Sequence, residues 1–256
     1  MLNQQIYYKE YNPSKQLVDY INCYWYFKIT TTTIKTFDVL PDACFDLLFI
    51  IKENGDFENV LTGIWNKSLS IEYKENTQIL GIRFKPLSIH TIFKFEINNY
   101  LNHKTSILIS DLELNYNYLV DSIQTNLSNA INYLNQLFMF RINNSFIDNR
   151  LQNCYKLIET NKGTISIASI SDKVGISSRQ LNRIVNAKIG ISLKEYSKII
   201  RFKSFINIML YEIDKSNILY YDQSHLIKDF KNYTGKTPKQ IKISNNDRFL
   251  QFYKVY

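Results

Sequence analysis

The stretch Thr164-Ile-Ser-Ile-Ala-Ser-Ile-Ser-Asp-Lys-Val-Gly-Ile-Ser-Ser-Arg-Gln-Leu-Asn-Arg-Ile-Val-Asn-Ala187 decides how this chain is read. Ile167, Ile170 and Val174 recur at i, i+3 and i+7, which is one face of a helix. Gly175 then supplies the positive φ that a tight turn demands. Ile176-Ser177-Ser178 follow, and a serine there N-caps a second helix over Arg179–Ala187. That second helix points Leu181, Ile184 and Val185 inward and leaves Arg179, Gln180, Asn182, Arg183 and Asn186 outside. A helix, a glycine turn and a helix with an Arg/Gln/Asn face form the helix-turn-helix pattern. Arginine bonds bidentately to guanine O6 and N7, and glutamine or asparagine to adenine N6 and N7. Those five outward residues are the candidate base readers.

The charge distribution agrees. The chain has 256 residues, with 31 Lys+Arg against 23 Asp+Glu for a formal charge of +8. Residues 1–149 hold 12 basic and 15 acidic side chains, a balance of −3, whereas residues 150–256 hold 19 and 8, a balance of +11. Such asymmetry points to a polyanionic partner for the C-terminal part, nucleic acid ahead of an anionic membrane surface. The plainer alternative is a solvated basic domain. A composition 45% hydrophobic and 14% aromatic excludes a disordered chain, and the length suits two domains. No window approaches the roughly 18 apolar residues that a membrane span requires. The first 20 residues, with Lys9, Glu10, Lys15 and Asp19, lack the apolar core of a signal peptide. Cys23, Cys44 and Cys154 fit reduced thiols, so the expected location is cytoplasmic.

From about residue 20 to 84 the pattern is one of short strands: Tyr24–Ile29, Phe37–Leu40, Cys44–Ile51, Val60–Ile64, Leu69–Tyr73 and Ile79–Phe84. Pro41-Asp42 and Glu53-Asn54-Gly55-Asp56 mark turns between them. Strands at this spacing imply an all-β barrel or sandwich, and Pro86 starts a helix over Leu87–Phe95. From about Asn117 to Arg141 the spacing becomes helical, with Val120, Ile123, Leu127, Ala130, Leu134 and Leu137 in one stripe. Two readings stay open for it: an amphipathic helix packed on its own domain, or a homodimerisation helix through residues 117–141. The expected fold class is α+β multidomain, an N-terminal β-rich barrel-like domain followed by a C-terminal all-α helix-turn-helix domain.

The basic part extends the pattern on both sides. Arg150–Asn161 is a helix with Leu151, Cys154, Tyr155 and Ile158 on one side, closed by Gly163. Leu193–Ile213 is a long helix whose stripe is Tyr196, Ile199, Phe202, Ile206, Met209 and Ile213. Tyr220-Tyr-Asp-Gln-Ser-His-Leu-Ile-Lys-Asp-Phe230 reads as a further helix capped by Asp222, with Gln223, Ser224, His225 and Lys228 near its exposed start. Asn232-Tyr-Thr-Gly235-Lys-Thr-Pro238 then turns into another helix.

Ile176–Val185, the turn at Gly190, Arg201, Tyr220–His225 and the Phe230-Lys-Asn-Tyr-Thr-Gly-Lys-Thr-Pro238 run resemble the AraC/XylS family of bacterial transcription regulators over roughly residues 150–242. The resemblance implies two helix-turn-helix units joined by a long helix, with Arg179–Asn186 and Gln223–Lys228 as the two recognition helices. Tyr24-Trp25, Pro41-Asp42-Ala-Cys-Phe-Asp46-Leu-Leu-Phe49 and Gly81-Ile-Arg-Phe84-Lys-Pro86 are similar to the β-rich, cupin-like sensor domain of some members. The domains expected are therefore 1–115 (sensor), 116–149 (linker helix), 150–243 (DNA-binding) and an aromatic tail, 244–256. The implied partners are double-stranded promoter DNA, RNA polymerase, a small-molecule effector and a second copy of the chain, with no membrane and no cofactor. The chain departs from the family between Arg201 and Tyr220, where about six residues and an Ile-Ala-x-x-x-Gly helix are missing. That leaves an alternative in which the second unit is degenerate and the regulator acts mainly through protein contacts.

An enzyme would need a site. His90, His103 and His225 form no metal-ligand spacing, and no phosphate-binding glycine loop or nucleophile elbow is present, so neither catalytic nor metal residues are assigned. Asp42 and Asp46 are open to two readings, a turn and a strand-face carboxylate or a catalytic pair. Trp25 and Trp65 are either core or the lining of a ligand pocket.

Overall fold

The computed structural model describes residues 6–30, 34–73, 76–93, 97–107, 112–211 and 223–243. Its strands are β1 (Ile6–Tyr11), β2 (Ile21–Ile29), β3 (Lys35–Val39), β4 (Phe45–Ile51), β5 (Phe57–Thr62), β6 (Leu69–Tyr73), β7 (Thr77–Phe84) and β8 (Lys104–Ser106). Six of them form an antiparallel sheet in the order β1-β2-β7-β4-β5-β8, and β3 pairs with β6 as a separate two-stranded ribbon. Because side chains alternate across a strand, each central strand serves two cores. Phe45, Leu47, Phe49 and Ile51 of β4 join Leu80, Ile82 and Phe84 of β7 on the face that packs against helices. Leu48, Ile79, Trp25 and Phe27 lie on the opposite face, against Phe37 and Tyr73 of the ribbon. This is why Cys44–Ile51 reads as a continuous apolar run and not as an alternating one.

The helices are α1 (Leu87–Thr91), α2 (Tyr116–Thr125), α3 (Leu127–Asn143), α4 (Asn149–Thr160), α5 (Ile167–Val174), α6 (Ser178–Ile189), α7 (Leu193–Tyr211), α8 (Gln223–Thr234) and α9 (Pro238–Ile243). The helix expected over Leu87–Phe95 ends at Thr91, and residues 94–96 lie outside the described residues. So do Asp214–Leu219, the Tyr220-Tyr221-Asp222 start of the second motif and the aromatic tail.

The helix expected from Asn117 to Arg141 is two helices. At Asn126 the backbone is extended (φ −150°, ψ 93°); its N–H still bonds to the Ser122 carbonyl while its side chain accepts from the Ser128 amide. One asparagine thus closes α2 and caps α3, a competition with the helical ladder that apolar spacing does not reveal. Ile123, Ala130 and Leu134 are buried by the chain itself, and the Phe138 ring meets Phe84 edge-on at 5.2 Å. These members of the stripe pack within the chain, as an amphipathic helix on its own domain would. One contiguous apolar cluster then runs from Phe45 and Phe84 through Phe138 to Cys154, Leu181 and Phe202.

Candidate functional site

The helix-turn-helix is built from local hydrogen bonds. Ser166 caps α5 by accepting from the Ser169 amide at 3.1 Å, and Gly175, at φ 68°, ends it. The Ser171 hydroxyl donates to the Ile176 carbonyl at 2.6 Å and braces the turn. Ser177 caps α6 by accepting from the Gln180 amide at 3.3 Å. Ile170, Val174, Ile176, Leu181, Val185 and Ile189 are buried beneath the pair. Arg179, Gln180, Arg183 and Asn186 are exposed on the outer face of α6. Asn182 is not with them. It is half-buried, and its Oδ1 accepts from the Leu193 amide at 3.1 Å, capping α7. Its amide oxygen is thereby engaged within the fold, which sets it apart from the four exposed candidates.

Two helices further on, α8 is anchored in spite of the short spacing before it. Phe230 and Tyr233 are buried, with ring centroids 5.1 and 4.9 Å from Phe202 of α7, and Phe205 meets Phe230 at 5.6 Å. The Tyr233 hydroxyl donates to Glu195 at 3.1 Å. Thr237 and Gln240 exchange bonds at the start of α9, a capping box. On α8 itself, Ser224 and Lys228 are exposed, while the side chains of Gln223 and His225 lie outside the described residues.

The β-rich part grips the ends of both units. The Ile97 amide donates to the Lys188 carbonyl at the end of α6 (2.9 Å), and the Ser68 amide to the Tyr233 carbonyl in α8 (2.8 Å). Lys85 pairs with Glu159 at 2.8 Å, and Gln152 donates to Asp19 at 2.8 Å. His90 meets the Tyr155 hydroxyl at 3.1 Å, and burial, aided by Lys188, pushes its imidazole down to about 4.

Between sheet and ribbon lies a cavity of about 260 Å³, walled by Trp25, Leu48, Val60, Trp65 and Tyr73, with Asp46, Glu72, Arg83 and Lys104 as its charged groups. The Trp25 indole lies over Gly81, where a Cβ would come within 2.1 Å of the ring, and donates to Asp46 at 2.9 Å. The strand register places Cys23, Arg83 and Asp46 side by side on three adjacent strands. Arg83, 6% exposed, bonds to Glu10 at 3.2 Å, and its Nε is 3.2 Å from Asp42 and 3.5 Å from Asp46 without hydrogen bonding to either. Burial lifts the Asp46 carboxyl to about 6, with Arg83 opposing and Asp42 adding to the rise. A second cavity, of about 330 Å³, opens between the β-rich part and α7, lined by Glu10, Asn22, Asp42, Arg83, Lys203 and Asn207 among others. Among the described residues no group of histidine, cysteine and carboxylate side chains is placed to hold a metal ion. Nor is any described helix long and apolar enough to cross a membrane.

Residues 9–106, which carry this sheet, match a protein-family model. It is described as a domain of unknown function, DUF6597. No curated protein matches the chain. Solved structures similar to it include ToxT from Vibrio cholerae at 12% identity, covering 93% of this chain and 97% of that one with a TM-score of 0.46. Others are ToxT bound to (E)-4-(8-methylnaphthalen-1-yl)but-3-enoic acid, at 13% identity over 93% and 98% with a TM-score of 0.45, and unsaturated fatty acid-bound ToxT from Vibrio cholerae strain SCE256, at 12% identity over 99% of each chain with a TM-score of 0.41.

Sequence reasoning did not single out Arg83 or Lys203. Arg83 stood in the similarity to the sensor domain, but its carboxylate partners come from three separate segments that only the pairing register brings together. The signal that existed was Asp46, a charge inside the most apolar strand.

Proposed function

We propose that this chain is a DNA-binding transcription regulator, not an enzyme, in which α6 enters the major groove. The observation that carries this reading is α6 itself. An anchored helix, with its apolar face buried on α5 and α7, presents Arg179, Gln180, Arg183 and Asn186 together to solvent from the part of the chain that bears +11. Lys and Arg elsewhere in residues 150–242 dock on phosphates, which makes affinity fall with salt. Ser224 and Lys228 are exposed on α8, which Phe202 and Phe205 hold in place, and this favours two reading units over the alternative of a degenerate second one. Gln223 and His225 belong to the same assignment.

The cavity between sheet and ribbon suits a small effector with an apolar body and one polar end, its aromatic wall supplying area and Asp46, Arg83 and Lys104 supplying orientation. Asp42 and Asp46 both lie beside Arg83, and each accepts a hydrogen bond, from the Cys44 amide and the Trp25 indole respectively. Asp46 is tied into the wall of this cavity and Asp42 into the turn before β4, which argues against a catalytic pair. The reading is tested by selecting duplexes from a randomised library with the full chain and measuring their binding as salt rises. Enrichment of a defined site, with affinity falling steeply between 50 and about 200 mM salt, supports it. Retention of no sequence over background overturns it.

A further inference from the structure

The two cavities share one side chain. Of the two, Asp46 lines the cavity between sheet and ribbon, Asp42 and Lys203 line the cavity against α7, and Arg83 lines both. We propose that Arg83 is a positioning residue that relays the occupancy of the inner cavity to α7, through Asp42 and Lys203. This rests on the reading of the inner cavity as an effector site and of α7 as the helix joining two DNA-reading units.

Three observations support the relay. First, the Arg83 Nε–H is poised between two carboxylates, near both and hydrogen-bonded to neither, so a small displacement commits it to one. A buried guanidinium without a formed bond there is costly, and any shift that completes a bond is favoured. Second, the other contacts limit its travel. Nη1 is held by Glu10 of β1, and the Cys23 thiol of β2 lies 3.9 Å away. Third, Lys203 projects from α7 into the same cavity as Asp42, and no hydrogen bond or ion pair holds its ammonium among the described residues. Asp42 is therefore contested by one cation from the sheet and one from α7.

A ligand that takes Asp46 frees Arg83 to pair with Asp42, and Asp42 then attracts Lys203 less. A ligand that takes Arg83 has the opposite effect. In either case the charge facing α7 changes without movement of the sheet. The groups around Arg83 that enter this balance are Tyr8 and Glu10 of β1, Cys23 of β2, Asp42, Asp46 and, from α7, Lys203.

The relay is reciprocal, so it can be tested from the α7 end with the proton as the probe at Asp46. In the full-length chain carrying Trp65→Phe, emission from Trp25, whose indole is bonded to Asp46, reports the protonation of that carboxyl. Lys203→Gln removes the competitor for Asp42, so Arg83 moves away from Asp46. The Asp46 midpoint then rises by about half a unit, roughly threefold in proton affinity. Adding Asp42→Asn, which keeps the acceptor for the Cys44 amide, removes the link and with it the effect of Lys203→Gln. A midpoint unmoved by Lys203→Gln overturns the relay. A shift that persists in the Asp42→Asn background also overturns it, because Lys203 would then act directly through space. Far-UV circular dichroism of each variant confirms that the folded protein is being titrated. No DNA is present, so failure here is distinct from failure of the DNA-binding reading.

Discussion

Gly190 and Gly175 offer a matched pair of substitutions that measures how firmly the β-rich part holds the first helix-turn-helix. Both glycines end a helix with positive φ, 68° at Gly175 and 78° at Gly190. Alanine at either position meets the same left-handed backbone, which costs about 1–2 kcal/mol. The surroundings differ. A Cβ at Gly175 meets nothing within 4 Å, whereas one at Gly190 lies 2.8 Å from the Asn98 carbonyl oxygen and 3.0 Å from its Cα. Those are backbone atoms and cannot rotate away. The segment must move, and the bond from the Ile97 amide to the Lys188 carbonyl moves with it. Loss of that bond adds about 1 kcal/mol, and overpacking adds about 1–3 kcal/mol. Gly175→Ala is expected to lower the unfolding free energy by about 1–2 kcal/mol, and Gly190→Ala by about 3–6 kcal/mol. Urea unfolding measures both, and hydrogen exchange at the Ile97 amide reads the contact directly. Equal losses in the two variants, with Ile97 protection unchanged, refute the reasoning.

Three further outcomes follow from the geometry. Asn182→Ala removes the acceptor for the Leu193 amide and lowers stability by about 1 kcal/mol, whereas the exposed Arg183→Ala stays within about 0.5 kcal/mol of the parent; thermal or urea unfolding separates them. Gly81→Ala drives a Cβ into the Trp25 indole, breaks its bond to Asp46 and costs about 1–3 kcal/mol, visible as a red shift of tryptophan emission. His90 and Asp46 act oppositely on the pH dependence of stability. The Asp46 carboxyl, lifted from 3.8 to about 6, holds a proton in the folded state that the unfolded chain releases, so its contribution falls as pH rises through that window. The His90 imidazole, lowered from 6.5 to about 4, does the reverse. Unfolding measured from pH 4 to 6.5 is expected to give a rising stability in Asp46→Asn and a falling one in His90→Asn.

The parts of the fold that were legible are those whose causes are local. Gly175 and the serine at 177 determine the turn within a few residues of chain, and the structure has each where its chemistry requires. The strands from Ile21 to Phe84 were legible because aromatic and β-branched runs are interrupted by turn residues. The polar, three-residue β8 was not legible, since only its pairing with β5 makes it a strand. Asn126 interrupts a stripe that continues on both sides, so periodicity joins two helices into one. Asn182 looks like its neighbours on a helical wheel, and its partner is a backbone amide in the next helix. The charge cluster was hidden for the same reason. Arg83 meets Glu10, Asp42 and Asp46 across the sheet, and nothing in its own neighbourhood in the sequence announces them.

The central claim is that α6 reads bases, and it is tested most directly by measuring the binding of Arg183→Ala to every single-base variant of the best selected site. A side chain bonded to a base edge contributes about 1–3 kcal/mol of discrimination at one position. The account predicts that Arg183→Ala loses its preference at one base pair and keeps it elsewhere, while Lys194→Ala weakens all variants alike. An Arg183→Ala protein that weakens every variant uniformly, with the base preferences of the parent intact, would contradict it.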